Sequence, residues 1–263
     1  MKSEQTIECK IYVSKAEDLE VIEQFLMANT YTQIAVFDEN ETLGVSVFGL
    51  SYGEAKALAS RVHESFSVRT EILSYSDQVW RLPWSGDLPD EKDAIAVSTS
   101  HSFGSLHHSA TRSLAELMDT MFSETLELGS FIDIGCGSGI LCIKAFKMGF
   151  VDVWGTEIDE PAFREACRNA EDNKAKVKIL NQGNMPARAF DVVLCNIQPP
   201  GLNKLLPIIA PIVGKKLLLS GFNEANFHTV LEDAEALGFQ KVAEHSVRGW
   251  YAMGFQPKHC KQP

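Results

Sequence analysis

The chain has 263 residues, of which 45% are hydrophobic and 22% are charged, a composition typical of globular proteins. No apolar run approaches the ~18 residues that cross a bilayer, and the N-terminus lacks the apolar region of a secretory signal. We therefore expect a cytoplasmic protein without membrane contact. The six cysteines form no C-x-x-C pair, which disfavours a disulfide framework or a zinc site.

The net charge of −11 is unevenly distributed. Residues 1–90 carry 15 acidic and 7 basic residues, a charge of −8, which leaves −3 for the rest of the chain. An acidic surface repels nucleic acid and favours a basic partner. We therefore expect a basic protein partner and no direct nucleic-acid binding. The alternative is that the acidic residues only keep this region soluble.

Residues 1–85 show alternating strand-like and helical patterns of apolar residues. Two capping boxes, Ser14–Glu17 and Ser51–Glu54, predict where two helices begin. Four β-rich or alternating runs predict strands at 7–13, 33–37, 44–49 and 68–73. The order β-α-β-β-α-β predicts a ferredoxin-like docking domain. A purely structural or dimerising module is the alternative.

The following stretch, 80–89, contains many turn formers and two tryptophans. This composition predicts a linker and not a core element. Further along, His107 and His108 are adjacent, so they cannot face one metal as a helical i,i+4 pair does. The sequence therefore predicts no metal site here.

A glycine-rich loop lies between a predicted strand, 131–134, and a predicted helix, 140–148. Strand, glycine loop and helix together form a geometry that binds nucleotides. The loop contains Gly135, Gly137 and Gly139. The dinucleotide fingerprint needs its third glycine one position later, where Ile140 stands. The spacing therefore disfavours an NAD oxidoreductase and looks like the loop of class I methyltransferases, whose cofactor is S-adenosylmethionine.

Acidic and amide residues follow at the ends of the predicted strands. Asp133, just before the loop, would reach the ammonium group of the cofactor. Glu157 ends the second strand, where a carboxylate accepts both ribose hydroxyls. Asn184 follows the third strand and would pair with the adenine amino group. Asp159 is better interpreted as a helix cap ahead of Pro161.

The fourth strand, 190–195, ends in Asn196-Ile-Gln-Pro-Pro200. The Asn196 side chain would face the transferring methyl group, and its carbonyl oxygen could hold a substrate amine. Gln198 and Pro199 would then shape the acceptor pocket. The alternative is that Pro199 and Pro200 only break the chain before the next helix. We predict Asn196 as the catalytic residue and expect no dedicated general base.

The remaining strands and helices alternate and close with a hairpin across Arg248-Gly249. Residues 113–263 therefore predict an α/β domain with a doubly wound, seven-stranded sheet that contains one antiparallel strand. Ligands bind at the carboxyl ends of such strands, where all the residues selected above lie.

Four features resemble the PrmA family, methyltransferases that modify a ribosomal large-subunit stalk-base protein. They are the runs 131–141 and 103–111, the pair Asn196-Ile197, and the closing hairpin with Trp250. The resemblance implies cofactor contacts from Thr111, Gly135, Glu157 and Asn196, with Glu157 in place of the usual aspartate. It also implies that Phe103 and His108 line the cofactor and substrate sides of the pocket. Residues 86–112 would be a linker and a segment that covers the cofactor.

The sequence departs from the family pattern near the acceptor side, at Ser105, Leu106, Ser109 and 198–200. The first hypothesis is an N-methyltransferase acting on a lysine or other amine of a basic, ribosomal-type protein. The second is a small-molecule or peptide N-methyltransferase on the same core. The third is a cofactor-binding homologue without catalysis.

Overall fold

The computed structural model describes residues 6–29, 31, 34–39, 42–75, 80–82, 95–97, 109–123, 128–181 and 185–258. Three predicted site residues, Phe103, His108 and Asn184, lie outside the described residues. The chain forms two compact units, and the described residues up to position 75 belong to the first. Within these ranges, each helix is too short or too polar to cross a membrane.

The first unit contains β1 (Thr6–Val13), α1 (Ala16–Ala28), β2 (Ile34–Glu39), β3 (Thr42–Leu50), α2 (Tyr52–Phe66) and β4 (Arg69–Tyr75). Its strands form an antiparallel sheet in the order β2-β3-β1-β4. Alternate residues of the strands face the helices, so that Ile11, Ile22 and Leu58 are fully buried together. This arrangement confirms the predicted ferredoxin-like fold.

The two helices of this unit begin differently. At α2, Ser51 Oγ accepts a hydrogen bond from Glu54 N at 3.3 Å, and Glu54 Oε2 accepts one from Ser51 N at 2.7 Å. This confirms the second predicted capping box. The first one is wrong, because α1 begins at Ala16 and its N-cap is Lys15, whose side chain makes no capping hydrogen bond. Ser14 stands one residue too early for its hydroxyl to reach the first free N–H groups.

The second unit begins with two short strands and a helix, β5 (Trp80–Leu82), β6 (Ile95–Val97) and α3 (Ser109–Phe122). Five strands and four helices follow: β7 (Ser130–Ile134), α4 (Ile140–Met148), β8 (Asp152–Glu157), α5 (Glu160–Asp172), β9 (Val177–Asn181), β10 (Phe190–Asn196), α6 (Pro199–Ile209), β11 (Val213–Asn223) and α7 (Glu224–Ala236). The last strands are β12 (Phe239–Val247) and β13 (Trp250–Pro257). A 3₁₀ turn, Ala210–Ile212, precedes β11.

Seven of these strands form one sheet in the order β12-β13-β11-β10-β7-β8-β9. Strand β13 is antiparallel to both β11 and β12, and the other neighbouring pairs of this sheet are parallel. Helices α3, α4 and α5 pack on one face, and α6 and α7 pack on the other. The predicted doubly wound α/β fold is therefore confirmed.

Strands β5 and β6 pair in an antiparallel ladder. Ile95 and Val97 are buried in the same core cluster as α4. The turn-rich composition of 80–89 predicts a linker, whereas Trp80–Leu82 forms β5. Neither β5 nor β6 is predictable from the pattern, because three residues are too short for a strand period to be recognised. The predicted domain boundary at 85 lies outside the described residues, and the one at 112 falls within α3; both stay predictions.

The strand order reverses between β7 and β10, because β8 and β9 extend the sheet on one side while β10 and β11 extend it on the other. Such a reversal leaves a crevice beyond the carboxyl ends of the two strands, which is the usual ligand position in open α/β sheets. The residues that end β7, β8 and β10 are therefore the candidates for ligand contact.

Candidate active site

The glycine loop turns sharply between β7 and α4. Gly135, Gly137 and Gly139 have φ angles of 74°, 52° and 77°, in the left-handed region that favours glycine. A Cβ atom on Gly135 would lie 2.8 Å from the Ile197 side chain. The N–H groups of Gly135 and Cys136 both donate to the Thr156 carbonyl oxygen, at 2.9 Å each. The loop is thus held against the end of β8.

Glu157 fixes the same loop from the other side. Its side chain is 8% exposed, and its Oε2 accepts a hydrogen bond from Gly137 N at 2.9 Å. Its Oε1 accepts from Ile158 N at 2.8 Å and from Asp159 N at 3.0 Å. A carboxylate has about four lone-pair positions, so capacity remains for a ligand hydroxyl. Asp159 is a helix cap, as predicted, because its Oδ2 accepts from Ala162 N at 3.1 Å.

Asp133 lies in β7, immediately beneath the loop. It is 1% exposed, and its Oδ1 atom has no hydrogen-bond partner among the described residues. Burial, aided by the charge of Glu157, raises the pKa of Asp133 to about 8. A cationic ligand group would satisfy the free oxygen and favour the ionised form, so the carboxyl group suits an ammonium.

Asn196 ends β10 on the other side of the strand-order reversal. Its Nδ2 donates a hydrogen bond to Thr111 Oγ1 at 3.1 Å. Its Oδ1 is buried and has no hydrogen-bond partner among the described residues. The fold therefore brings Thr111, in the first turn of α3, to Asn196. The cofactor contact that the family resemblance implies for Thr111 stays a prediction.

The segment after Asn196 is enclosed by glycines. A Cβ atom on Gly201 would lie 2.8 Å from the Ile197 side chain, and one on Gly221 would lie 2.6 Å from the Ile197 carbonyl oxygen. Gly221 has a φ of 96° and lies at a β-bulge in the β11–β13 pairing. Ile197 and Gly221 were not among the predicted site residues. A glycine near a strand end, as at Gly221, is the one signal that could have indicated this close backbone approach.

Gln198 is the N-cap of α6, and its carbonyl oxygen accepts hydrogen bonds from the N–H groups of Gly201 and Leu202, both at 2.9 Å. Pro199 and Pro200 form the first turn of that helix, where a missing N–H is tolerated. A contact of Gln198 or Pro199 with an acceptor stays a prediction.

A family model described as ribosomal protein L11 methyltransferase (PrmA) matches residues 71–258. The chain belongs to the PrmA family. The family predicted from the sequence is therefore confirmed.

Two PrmA relatives illustrate the likeness, and both are named ribosomal protein L11 methyltransferase. The one from Chromobacterium violaceum is 30% identical over 200 residues, which cover 72% of this chain and 66% of the relative. The one from Fusobacterium nucleatum is 32% identical over 207 residues, which cover 75% of this chain and 62% of the relative. The chain thus spans less than two thirds of the length of either relative.

A crystal structure of a ribosomal protein L11 methylase from Lactobacillus delbrueckii subsp. bulgaricus shares the fold. It superposes with a TM-score of 0.58 at 21% identity, covering 68% of this chain and 94% of that chain.

The candidate site of this PrmA member combines three chemical features. It has a loop in which three glycines lack Cβ atoms, a buried carboxyl oxygen and a buried amide oxygen. Neither oxygen has a hydrogen-bond partner among the described residues. Within the same residues, no cluster of three His, Cys, Asp or Glu side chains could hold a metal ion. The arrangement suits a nucleoside-like ligand with a cationic group beside a neutral acceptor that donates a hydrogen bond.

Proposed function

We propose that this chain is an S-adenosylmethionine-dependent methyltransferase that methylates an amine nitrogen of a basic protein, with ribosomal protein L11 as the expected acceptor. The observation that carries the proposal is a pair of buried oxygens, Asp133 Oδ1 and Asn196 Oδ1, which have no hydrogen-bond partner within the described ranges. They lie on opposite sides of the strand-order reversal. Membership of the PrmA family and the names of the relatives support the acceptor.

The residues around the glycine loop fit the proposed cofactor. Asp133 would hold its ammonium group, and Glu157 would accept hydrogen bonds from its ribose hydroxyls. Ile158 is 78% exposed directly after Glu157, so it offers an apolar surface to the adenine ring. Asn184 is proposed for the adenine amino group. When bound, this cofactor supplies a methyl carbon made electrophilic by the adjacent sulfonium.

Asn196 is proposed to position the acceptor amine. A lysine amine has an unperturbed pKa near 10.4, and desolvation lowers this pKa by disfavouring the charged form. The neutral amine donates one N–H to Asn196 Oδ1, which turns its lone pair towards the methyl carbon. Because the methyl group is already activated, alignment of the two reactants is the main contribution of the protein.

The acidic front region is proposed to dock the basic acceptor. Its charge of −8 over residues 1–90 raises the local concentration of a positively charged protein and speeds encounter at low ionic strength. A ribosomal acceptor implies a cytoplasmic location. Direct nucleic-acid binding by this acidic region is not expected.

Calorimetric titration tests the cofactor. We expect the purified protein to bind S-adenosylmethionine but not NAD, and we expect Glu157→Ala to abolish binding. Glu171→Ala is the matched control, because it removes the same charge from an exposed position of α5. Binding of NAD alone, or unchanged binding by Glu157→Ala, would refute the cofactor assignment.

Methyl transfer from a radiolabelled cofactor then tests the acceptor. We expect label on an amine of ribosomal protein L11 and little on a basic protein of unrelated fold. Label on free lysine or short peptides alone would favour the small-molecule alternative. Cofactor binding without transfer to any acceptor would favour the non-catalytic alternative.

A further inference from the structure

Helix α5 packs its buried face against the glycine loop. A Cβ atom on Gly139 would lie 3.3 Å from the Ala166 Cβ atom, so the loop and the helix approach closely. One turn further along α5, Asn169 is 1% exposed, and its Nδ2 donates a hydrogen bond to the Ser138 carbonyl oxygen at 2.8 Å. We propose that Asn169 is a positioning residue that holds this loop in the conformation that receives the cofactor. The inference rests on the proposed function, because it gives the shape of the loop a role in binding S-adenosylmethionine.

An asparagine is an unexpected residue on this face of the helix. Ala162, Ala166 and Ala170 are also buried there, and alanine has a higher helix propensity than asparagine. Burying a carboxamide also costs free energy unless it is hydrogen-bonded. The hydrogen bond to Ser138, which lies 31 positions earlier in the chain, offsets that cost and accounts for a polar side chain here.

The loop needs restraint from outside, because glycine adopts positive and negative φ angles with similar ease. Ser138 stands between Gly137 and Gly139, whose φ angles are 52° and 77°. The peptide group that joins Ser138 to Gly139 is held at both ends. Its N–H donates to the Cys136 carbonyl oxygen at 2.9 Å, and its C=O accepts from Asn169. Ser138 is fully buried, so bulk water cannot replace the Asn169 donor, and loss of that donor should let the loop shift.

Asn169 completes a clamp that begins at the other end of the same strand–helix unit. Glu157, which ends β8, accepts a hydrogen bond from Gly137 N at 2.9 Å. Asn169 donates to the carbonyl oxygen of the next residue, Ser138. The proposed ribose ligand and the loop are therefore tied together before any ligand arrives. A site that is ordered in advance loses less conformational freedom on binding, so it binds more tightly.

Asn169→Leu tests the proposal, because leucine has a similar size and donates no hydrogen bond. We expect its Kd for S-adenosylmethionine, measured by calorimetry, to rise about tenfold, which corresponds to about 1.4 kcal/mol. Its kcat with saturating cofactor should stay within about twofold of wild type, as for a change that affects only binding. Asn173→Leu is the matched control, because Asn173 Nδ2 donates to the Asn169 backbone carbonyl oxygen at 2.7 Å within the same helix. This control should bind the cofactor as wild type does.

Asn169→Ala provides a second variant, because the branched leucine could prevent folding. Alanine already lines this face of α5 and favours helices, so this variant should fold, and its melting temperature checks that it does. Its Kd should also rise. Kd values within about twofold of wild type in the folded Asn169 variants would overturn the proposal. An equal loss of affinity in Asn173→Leu would overturn it too, since the cause would then be a general weakening of α5.

Hydrogen exchange in the protein without ligand gives a readout that does not depend on methyl transfer. We expect the amides of the glycine loop, followed in peptide fragments by mass spectrometry, to exchange faster in the Asn169 variants than in wild type and Asn173→Leu. Unchanged exchange of the loop would overturn the positioning role. A wild-type protein that does not bind S-adenosylmethionine would refute the proposed function instead, and the exchange of the loop would still decide whether Asn169 holds it.

Discussion

Asp133→Asn is expected to stabilise the free protein while abolishing cofactor binding. The carboxyl group is 1% exposed, and burial with the charge of Glu157 raises its pKa from 3.8 to about 8. Between these two values the folded protein binds a proton that the unfolded chain has released. The free energy of unfolding must therefore fall as the pH rises through this interval. Asparagine has nearly the same shape and does not ionise, so the variant lacks this loss.

The size of the effect follows from the width of the interval. Each pH unit between the two pKa values changes the free energy of unfolding by about 1.4 kcal/mol. From pH 5 to pH 8, the free energy of unfolding of wild type should therefore fall by about 4 kcal/mol more than that of Asp133→Asn. This is a large fraction of the stability of a typical domain, so the difference is readily measured.

Equilibrium unfolding in urea without ligand, repeated at each pH unit from 5 to 8, provides the assay. Asp191→Asn is the matched control. Burial disfavours the ionised form of Asp191, but hydrogen bonds from Lys215 and Ser130 outweigh it and lower the pKa of Asp191. Its carboxylate stabilises the fold above its unfolded pKa, so Asp191→Asn should lose stability at neutral pH, opposite in sign to Asp133→Asn.

Cofactor binding provides the second half of the test. Below pH 8 we expect wild type to release a proton when S-adenosylmethionine binds, because the ammonium favours the ionised carboxyl. Calorimetry in buffers of different ionisation enthalpy measures that proton. The reasoning would be refuted if the free energy of unfolding varied with pH in the same way for wild type and Asp133→Asn and no proton were released on binding. Asp133 would then be ionised already in the free protein.

Three further predictions concern residues around the site. Gly221→Ala should cost about 2–4 kcal/mol and reduce methyl transfer, because its Cβ would lie 2.6 Å from a backbone carbonyl at a φ of 96°. Gly238→Ala is the matched control, because Gly238 has a similar φ of 89° but no atom near the added Cβ position. If Gly238→Ala lowered the melting temperature as much as Gly221→Ala, a steric cause would be contradicted. Lys144→Met should raise the free energy of unfolding at pH 7 by about 2 kcal/mol, because burial lowers the pKa of Lys144 to about 8 in spite of its 2.7 Å ion pair with Asp119. The Asp119 side chain is 41% exposed, so it stays hydrated when this partner is removed. This gain in unfolding free energy should shrink above pH 8, because Lys144 loses its proton at lower pH in the folded wild type than in the unfolded chain. A gain that stays constant with pH in urea unfolding would contradict this prediction. Glu157→Asp should weaken cofactor binding in calorimetry, although aspartate is the usual residue of the family. The shorter side chain cannot keep the hydrogen bond from Gly137 N. Undiminished affinity would argue against a role for that hydrogen bond.

The sequence alone was enough for features whose signals are local. The glycine spacing at 135–139 and the acidic end of β8 predicted the edge of the sheet where the candidate site lies. The Asp159 cap and the hairpin turn at Arg248-Gly249, where both residues have positive φ, were also predictable. Each depends on residues within one turn or one strand–loop–helix unit. Backbone conformation and chain spacing therefore determine them without knowledge of distant contacts.

Only the tertiary structure decided which distant side chains meet and which of them lose water. Thr111 and Asn196 are 85 positions apart, and no local pattern predicts that the start of α3 reaches the end of β10. The raised pKa of Asp133 depends on burial from all sides, and the enclosure of Ile197 depends on glycines from three separate elements. Desolvation and close packing are properties of the assembled sheet and helices, so a linear sequence indicates the residues but not their environment.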